Sequence, residues 1–501
     1  MRILYVSVLI CLCGPIMAQP GTLDSSFGQA GISLQSFLPT RDSYGGMTLA
    51  PDGSIWAMGS SGFTYDYLLA KYTPSGIPDS SFSGDGWIQF DYNGNTDQGR
   101  CIERQPDGKI LLGGGVVRSN RDWGILRVDS TGTPDPSFGT DGWVLLDWDG
   151  FDEVYDLAVQ PDGNILASGG GNFSLALARF KPNGTLDSSF ATNGRLQYSD
   201  GGSARIALDA SGNIYCADAF GNGALVQHGV LKVDSSGAIV SGFGSNGLLL
   251  SDVTNFPRNP MILRDRNGSI VFGGTAGSSS GNGQGVALTR ILPGGSLDLS
   301  FSSDGKVLIN SGSAREGSGI AELPNGHLLV AGMSTPNGNA DMTLFCIRPD
   351  GTLDTGFGSS GLARVNIGGD GEWAYDVAVQ PDGKIVIAGN HSDGYSRFAL
   401  ARFTNGPLTG IARDEAGPAF TLYPNPAQAQ VRIRAALPQA GPVVLRLVSL
   451  HGQLLWEAPL GLRPAGDLDE ALPLPEGLVP GWYQMLLDCG GQIRTQGIQL
   501  R

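Results

Sequence analysis

A phrase of the form D-x-S-F-G, or a close variant of it, recurs along this chain. It places a phenylalanine at Phe27, Phe82, Phe138, Phe190, Phe243, Phe301 and Phe357, at intervals of 55, 56, 52, 53, 58 and 56 residues. A turn of the type P-D-G-K-I follows each, with its glycine at Gly53, Gly108, Gly163, Gly212, Gly268, Gly326 and Gly383. A third phrase, led by a cation, recurs at Lys71, Arg127, Arg179, Lys232, Arg290 and Arg402, with Cys346 in the cation's place in one copy. A fixed period of this size means stacked supersecondary units.

The last copy stops after Arg402-Phe403-Thr404-Asn405-Gly406, where the others run on into D-x-S-F-G. The missing piece stands at the other end of the chain, from Gly21 to Gly28. An open solenoid needs polar caps, whereas a ring needs ends that complete one another. The N-terminal fragment therefore reads as the outer strand of the seventh unit. The expected fold is all-β: a seven-bladed β-propeller over residues 20–406, closed by its N-terminal strand, which leaves no long sheet edge open.

Strands can be placed inside a unit. In the third copy Val154–Gln160 alternates apolar and polar residues before the turn at Pro161-Asp162-Gly163. Ile165–Ser168, Leu175–Phe180 and Gly194–Tyr198 follow, bounded by Pro, Asn and Gly. The residues present in every copy are scaffold on this reading. The Asp three places before six of these Phe residues (Asp24, Asp79, Asp135, Asp187, Asp298 and Asp354) bonds backbone amides in its turn, and the Phe fills the gap between blades.

The formal charge of −15, without a basic stripe, argues against nucleic acid or an anionic membrane as partner. Met1-Arg2, the apolar run Ile3–Leu12 and the small residue Ala18 read as a signal peptide over 1–18. No later segment is long and apolar enough to cross a bilayer as a helix. Cys101, Cys216 and Cys346 fall in units that are not neighbours, so free buried thiols are expected, Cys489 included.

A linker over 407–419 leads to a different module, 420–501, whose alternating strands suggest a small β-sandwich. Its Tyr423-Pro424-Asn425-Pro426, the mid-module Gly452, and Gly481-Trp482-Tyr483 resemble the type A sorting domain of the type IX secretion system of Bacteroidetes-type bacteria. That resemblance implies passage across both membranes and then release or attachment at the cell surface, with the secretion machinery as partner. The repeat itself resembles the delta-60 repeat of secreted bacterial proteins, best at Ala158–Phe190 and Ala378–Phe403. The delta-60 likeness implies a fold and no reaction.

Chemistry is expected in what differs between units, above all in the loops opposite the PDG turns. The richest is Asp147-Trp148-Asp149-Gly150-Phe151-Asp152-Glu153, with Asp91–Asp97 and Asp370-Gly371-Glu372-Trp373 as companions. Candidate ligand-binding residues are Asp91, Asp97, Asp147, Trp148, Asp149, Asp152, Asp370, Glu372 and Trp373. Carboxylates beside aromatic rings suit sugar hydroxyls and faces. Acidic oxygens among glycines suit calcium, the one ion these loops point to, and no organic cofactor is expected. No catalytic residue is assigned. Gly277–Gly281 matches G-x-S-x-G without the strand-to-helix elbow, and His228, His327, His391 and His451 read as turn or surface residues.

The leading expectation is a secreted or surface-displayed, non-catalytic propeller that binds a glycan or a surface protein. The alternatives are a propeller lyase or glycosidase acting on polysaccharide, or a structural surface component. Carboxylates converging at the centre of the ring would favour an enzyme, and an aromatic-acidic patch a binder.

Overall fold

The computed structural model describes residues 19–405 apart from 39–40, 223–224, 254–256, 278–284, 311–313 and 337. It also describes 420–500 apart from 424–426, 428, 438–439, 450–453, 476–477, 479–480 and 490–491. The proposed leader, the linker, Pro424, Asn425, Pro426, Gly452, His451 and most of Gly277–Gly281 lie outside the described residues.

The described residues form strands and no helix, and none of their segments is a helix able to cross a membrane. Between Ile32 and Phe403 they make seven four-stranded antiparallel sheets, a propeller-like arrangement. Six sheets use four consecutive strands. In the third unit these are Glu153–Val159, Ile165–Gly171, Ser174–Phe180 and Arg195–Tyr198, close to the strands read from the sequence. The seventh sheet takes Gly371–Val379, Ile385–Ser392 and Ser396–Phe403 from one end of the chain and Ile32–Gln35 from the other. In it Ile32 faces Ala401 and Gln35 faces Phe398.

One cassette recurs at the outer part of four units. The Arg127 guanidinium donates to Asp135 at 2.9 Å and lies 4.4 Å over the Phe138 ring. Arg179 with Asp187 and Phe190, and Arg290 with Asp298 and Phe301, repeat it. In the composite sheet Arg402 bonds Asp24 at 2.9 Å across 378 residues of chain and lies 4.8 Å over Phe27. Burial alone would raise the Asp24 carboxyl. The Ser26 hydroxyl and amide, Lys384 and the Arg402 charge outweigh it and hold Asp24 at about 2.

Each repeated Phe also reaches the next unit. Phe27 lies against Gly76, and Phe82 and Phe138 meet Gly132 and Gly184 in the same way. Gly76 sits at φ +77°, and a Cβ there would fall inside the Phe27 ring. Gly76→Ala combines left-handed strain with displacement of a fully buried ring. It is expected to lower stability by about 2–4 kcal/mol in denaturant melts, and a loss under half that would show that the contact is loose.

The tail holds a three-stranded sheet (Phe420–Tyr423, Gln430–Leu437, Gly466–Pro473) and a four-stranded one (Gly441–Ser449, Leu454–Arg463, Gly481–Cys489, Gln492–Leu500). They share one apolar core that includes Val431, Leu445, Tyr483 and Met485. Tyr423 is exposed beneath the Arg434 guanidinium.

Candidate functional site

Most of the loop residues singled out in the sequence turn out to build the loops they sit in. Asp97 and Asp152 are fully buried. Asp97 accepts the Tyr92 amide at 2.6 Å, and Asp152 accepts the amides of Trp148 at 2.7 Å and Asn172 at 2.8 Å. Glu372, also buried, bonds the His391 ring at 3.0 Å. Trp148 is buried, 5.2 Å from the Trp123 ring and beneath Arg195, so it fills core. Trp373 is half-buried. Asp91, Asp149 and Asp370 are exposed and Asp147 half-exposed, and each of these except Asp149 accepts a local amide, from Gly94, Gly394 and Asp149 respectively for Asp91, Asp370 and Asp147.

Two of the four histidines are a correction to the sequence reading. His228 and His391 are buried. Burial pushes His228 down to about 4, so it is a neutral ring, with Nε2 3.1 Å from the Thr275 carbonyl. Cys101, Cys216 and Cys346 are buried thiols, as expected.

The aromatic and acidic groups do meet on the loop face, but at different residues. A cavity of about 240 Å³ is lined by Phe151, Glu153, Tyr155, Gly170, Phe173, Gly201 and Gly202. Phe151 is 54% exposed and Phe173 82% exposed. The Glu153 carboxylate is buried beneath them, paired with Arg121 and Arg100 and bonded by the Tyr155 hydroxyl at 2.9 Å. The Arg121 guanidinium lies 4.7 Å over the Phe151 ring.

Phe173 also carries backbone strain. The hairpin between Ile165–Gly171 and Ser174–Phe180 turns on Asn172 at φ +47° and Phe173 at φ +59°. Such turns suit Asn-Gly. A bulky side chain held there costs on the order of 1 kcal/mol. Mostly in solvent, Phe173 regains little of this through packing, so the fold gives no reason for it.

A second cavity, of about 220 Å³, is lined by the first strands of all seven units. Seven residues before each PDG-type glycine stand Gly46, Cys101, Asp156, Arg205, Met261, Gly319 and Asp376. These innermost strands are sheet edges with amides left over. Asp156 accepts the Ile206 amide of the next unit at 2.9 Å and Asp376 accepts that of Met47 at 3.0 Å. Each also caps the amide after its own, at Leu157 and Val377. Arg205 donates to the Tyr155 carbonyl at 2.7 Å. Gly319 permits close approach, since a Cβ there would lie 2.8 Å from the Asp376 Cα.

Glu103 differs from these. It lines the same cavity, and no donor among the described residues bonds its carboxyl. Burial, with the Asp156 charge adding, pushes it up to about 8, so it holds its proton at neutral pH. Burial pushes Asp376 to about 6 against the opposing Arg205 charge and its two amides. The Cys101 thiol is pushed far up by burial and supplies no thiolate.

A family described as a "Domain of unknown function (DUF5122) beta-propeller" matches residues 105–138, 160–190, 266–301, 323–357 and 380–406. No curated protein matches the chain. Among solved structures, virginiamycin B lyase from Staphylococcus aureus is similar at 12% identity and a TM-score of 0.44, over 74% of this chain and 99% of that one. Drosophila Semaphorin 2a is similar at 10% identity and a TM-score of 0.46, over 97% and 99%. A PL25 ulvan lyase bound to -[GlcA(1-4)Rha3S]- is similar at 12% identity and a TM-score of 0.42, over 72% and 94%. The chain thus carries β-propeller repeats of the DUF5122 kind in an all-β, propeller-like fold.

Proposed function

We propose that residues 20–406 form a closed seven-bladed propeller that binds a glycan at the Phe151–Phe173 cleft without turning it over. The composite seventh sheet, the Asp24–Arg402 pair and the cavity lined from all seven units support closure. The observation that carries the binding reading is the pair of exposed phenylalanine rings around a cavity floored by a buried, compensated carboxylate. Sugar faces stack on such rings, and a strained Phe173 without packing is the kind of local cost found at ligand contacts.

On this reading the chain is exported: residues 1–18 are a signal peptide, 407–419 a linker, and 420–501 a β-sandwich recognised by the type IX machinery. The resemblance at Tyr423–Pro426, Gly452 and Gly481–Tyr483 supports the address. Ligand and machinery are the partners, at the outer surface of the cell.

Phe173→Gly separates binding from folding. Glycine relieves the positive φ, so stability should be unchanged or rise by about 0.5–1 kcal/mol. Affinity for any glycan-array hit should fall at least tenfold, as it should in Phe151→Ala. A blank array for the parent, or a hit indifferent to both changes, overturns the assignment. The enzyme reading keeps one specific support, the protonated Glu103 beside Asp156, which has the form of a general acid. Product release from polysaccharide that is abolished in Glu103→Gln would replace the binding reading with it.

A further inference from the structure

Asp66, Asp91 and Asp97 each place one carboxylate oxygen within 4.8 Å of the others, and Asp122, Asp147 and Asp152 do the same. The two triplets occupy the same places in the repeat. Asp66 and Asp122 stand five residues before Lys71 and Arg127. Asp91 and Asp147 stand nine after Phe82 and Phe138, and Asp97 and Asp152 eleven before Gly108 and Gly163. Each triplet therefore takes one carboxylate from the third strand of a unit, one from the residue that follows its fourth strand, and one from the start of the next unit's first strand or the residue before it.

Three anions packed this closely are costly unless something positive stands among them. The protein supplies little. Asp97 and Asp122 are fully buried, and Oδ1 of each has no hydrogen-bond partner. At the first triplet the donors are neutral: the Tyr92 amide to Asp97, the Gly94 amide to Asp91 and the Gln89 side-chain amide to Asp66, with the Thr64 hydroxyl near Asp66 and the Val117 amide near Asp97, and no cation among the described residues. At the second, Arg118 reaches Asp122 from the outside through Oδ2 and leaves Oδ1 bare.

Other junctions solve the problem internally. Where the sixth unit meets the seventh, the same three places hold Asp341, Asn366 and Glu372. There the Asn366 amide bonds Asp341 at 2.7 Å and the His391 ring bonds Glu372 at 3.0 Å. Where the composite sheet meets the first unit, Asp42 is bonded by the Ser61 hydroxyl. Only the two all-aspartate junctions, among the described residues, keep three carboxylates and bare buried oxygens together.

We propose that each triplet is a calcium site, and that the two ions pin the first unit to the second and the second to the third. Oxygen-only donors with several carboxylates suit this hard cation, and loop carbonyls and water complete the six to eight ligands it takes. Neither triplet lines the cleft or the central cavity, and the first is separate from the glycan reading, whereas Asp152 of the second holds the Asn172 amide beside Phe173.

Terbium, a luminescent calcium substitute, tests it on the full chain after chelation. Tyr92 and Trp148 adjoin Asp91 and Asp147 in sequence and provide the sensitising rings. Two equivalents of terbium should give sensitised emission, displaced by calcium at up to about 1 mM, the range of extracellular modules. Calcium should also raise the melting temperature. Asp91→Asn and Asp147→Asn change the least buried ligand of each site and should each remove one equivalent while the apo melt stays unchanged. Their combination should remove both, together with the calcium-dependent melting shift. Absence of calcium-displaceable emission, or emission that survives in the double variant at parental affinity, overturns the proposal.

Discussion

Removal of residues 19–35 is expected to abolish the cooperative monomer. The segment contributes the strand Ile32–Gln35 to the composite sheet, and its loss bares the edge of Ser396–Phe403. It contributes Phe27, fully buried against the first unit. Truncating a buried Phe alone costs about 3–5 kcal/mol. The segment also supplies Asp24, without which the buried Arg402 guanidinium keeps only neutral acceptors, the Pro74 carbonyl and Gln380, a defect of up to about the same size. Together these match or exceed the whole stability of an ordinary domain. The edge so exposed is apolar, with Ala399, Leu400 and Ala401 at its centre, and templates association. Size-exclusion chromatography with light scattering should show oligomers, and the thermal transition should be broad or absent. A synthetic peptide spanning residues 19–35, added during refolding, should restore part of the monomer. A truncated chain that stays monomeric with its original melt would falsify closure through the N-terminal strand.

Arg402→Met tests the same closure with one side chain. It leaves Asp24 beside Lys384, 3.2 Å away, so the carboxylate keeps one cation. The loss should therefore fall short of the full penalty for an orphaned buried charge, at about 2–4 kcal/mol. Asp24 is held well below its ordinary value in the folded protein. Its contribution is thus present above about pH 4 and is lost as pH falls toward 2. The variant's deficit should shrink over that window.

The architecture was legible because the repeat fixes it many times over. Seven copies of a turn glycine and seven of a buried Phe leave few other ways to stack the units. The broken last copy pointed at Asp24 and Phe27 before any geometry was known. The site was legible only in part. Loop composition marked Asp147–Glu153 as the segment to look at, yet Trp148, its most conspicuous ring, is core and Phe151 is the exposed one. Composition cannot say which ring of a loop faces out, because that depends on Trp123 in the neighbouring strand. Phe173 went unnoticed because a single Phe at a hairpin tip has no pattern. The central cavity was missed for another reason. Asp156, Arg205 and Asp376 share one register position, and comparing the copies position by position within strands would have exposed three charges among Gly, Cys and Met. The third member of each aspartate triplet, Asp66 and Asp122, lies in a different strand from its loop partners, so only the folded sheet brings it in.

Glu103→Gln is expected to make the protein more stable at alkaline pH and to leave it nearly unchanged at acidic pH. Glu103 is raised to about 8 by burial and by Asp156, whereas an unfolded glutamate titrates near 4.3. Between those values the folded chain keeps a proton that the unfolded chain has released. Stability therefore falls as pH rises through this window, by up to about 1.4 kcal/mol per unit for the single group. Relaxation and water entry into the cavity reduce the total, so a penalty of about 2–4 kcal/mol near pH 8.5 is expected. The groups around it are Asp156 and Asp376, which are both raised, the Arg205 cation that opposes them, and the Cys101 thiol, which stays protonated. Gln keeps the shape and cannot ionise, so the variant's slope should flatten. Asp376→Asn is the contrast. Its carboxylate uses both oxygens, for the Met47 and Val377 amides, and an amide has one acceptor oxygen, so that variant should lose stability at acidic pH, where the parent carboxyl is protonated, and gain little at high pH. Urea unfolding of all three proteins at about pH 4.5, 6.5 and 8.5, in chelator so that the aspartate triplets stay metal-free, decides it. Parallel parent and Glu103→Gln curves would mean that Glu103 is ionised and solvated, and the central cavity would then hold a carboxylate ready to accept hydroxyl or ammonium donors instead of a protonated acid ready to give its proton up.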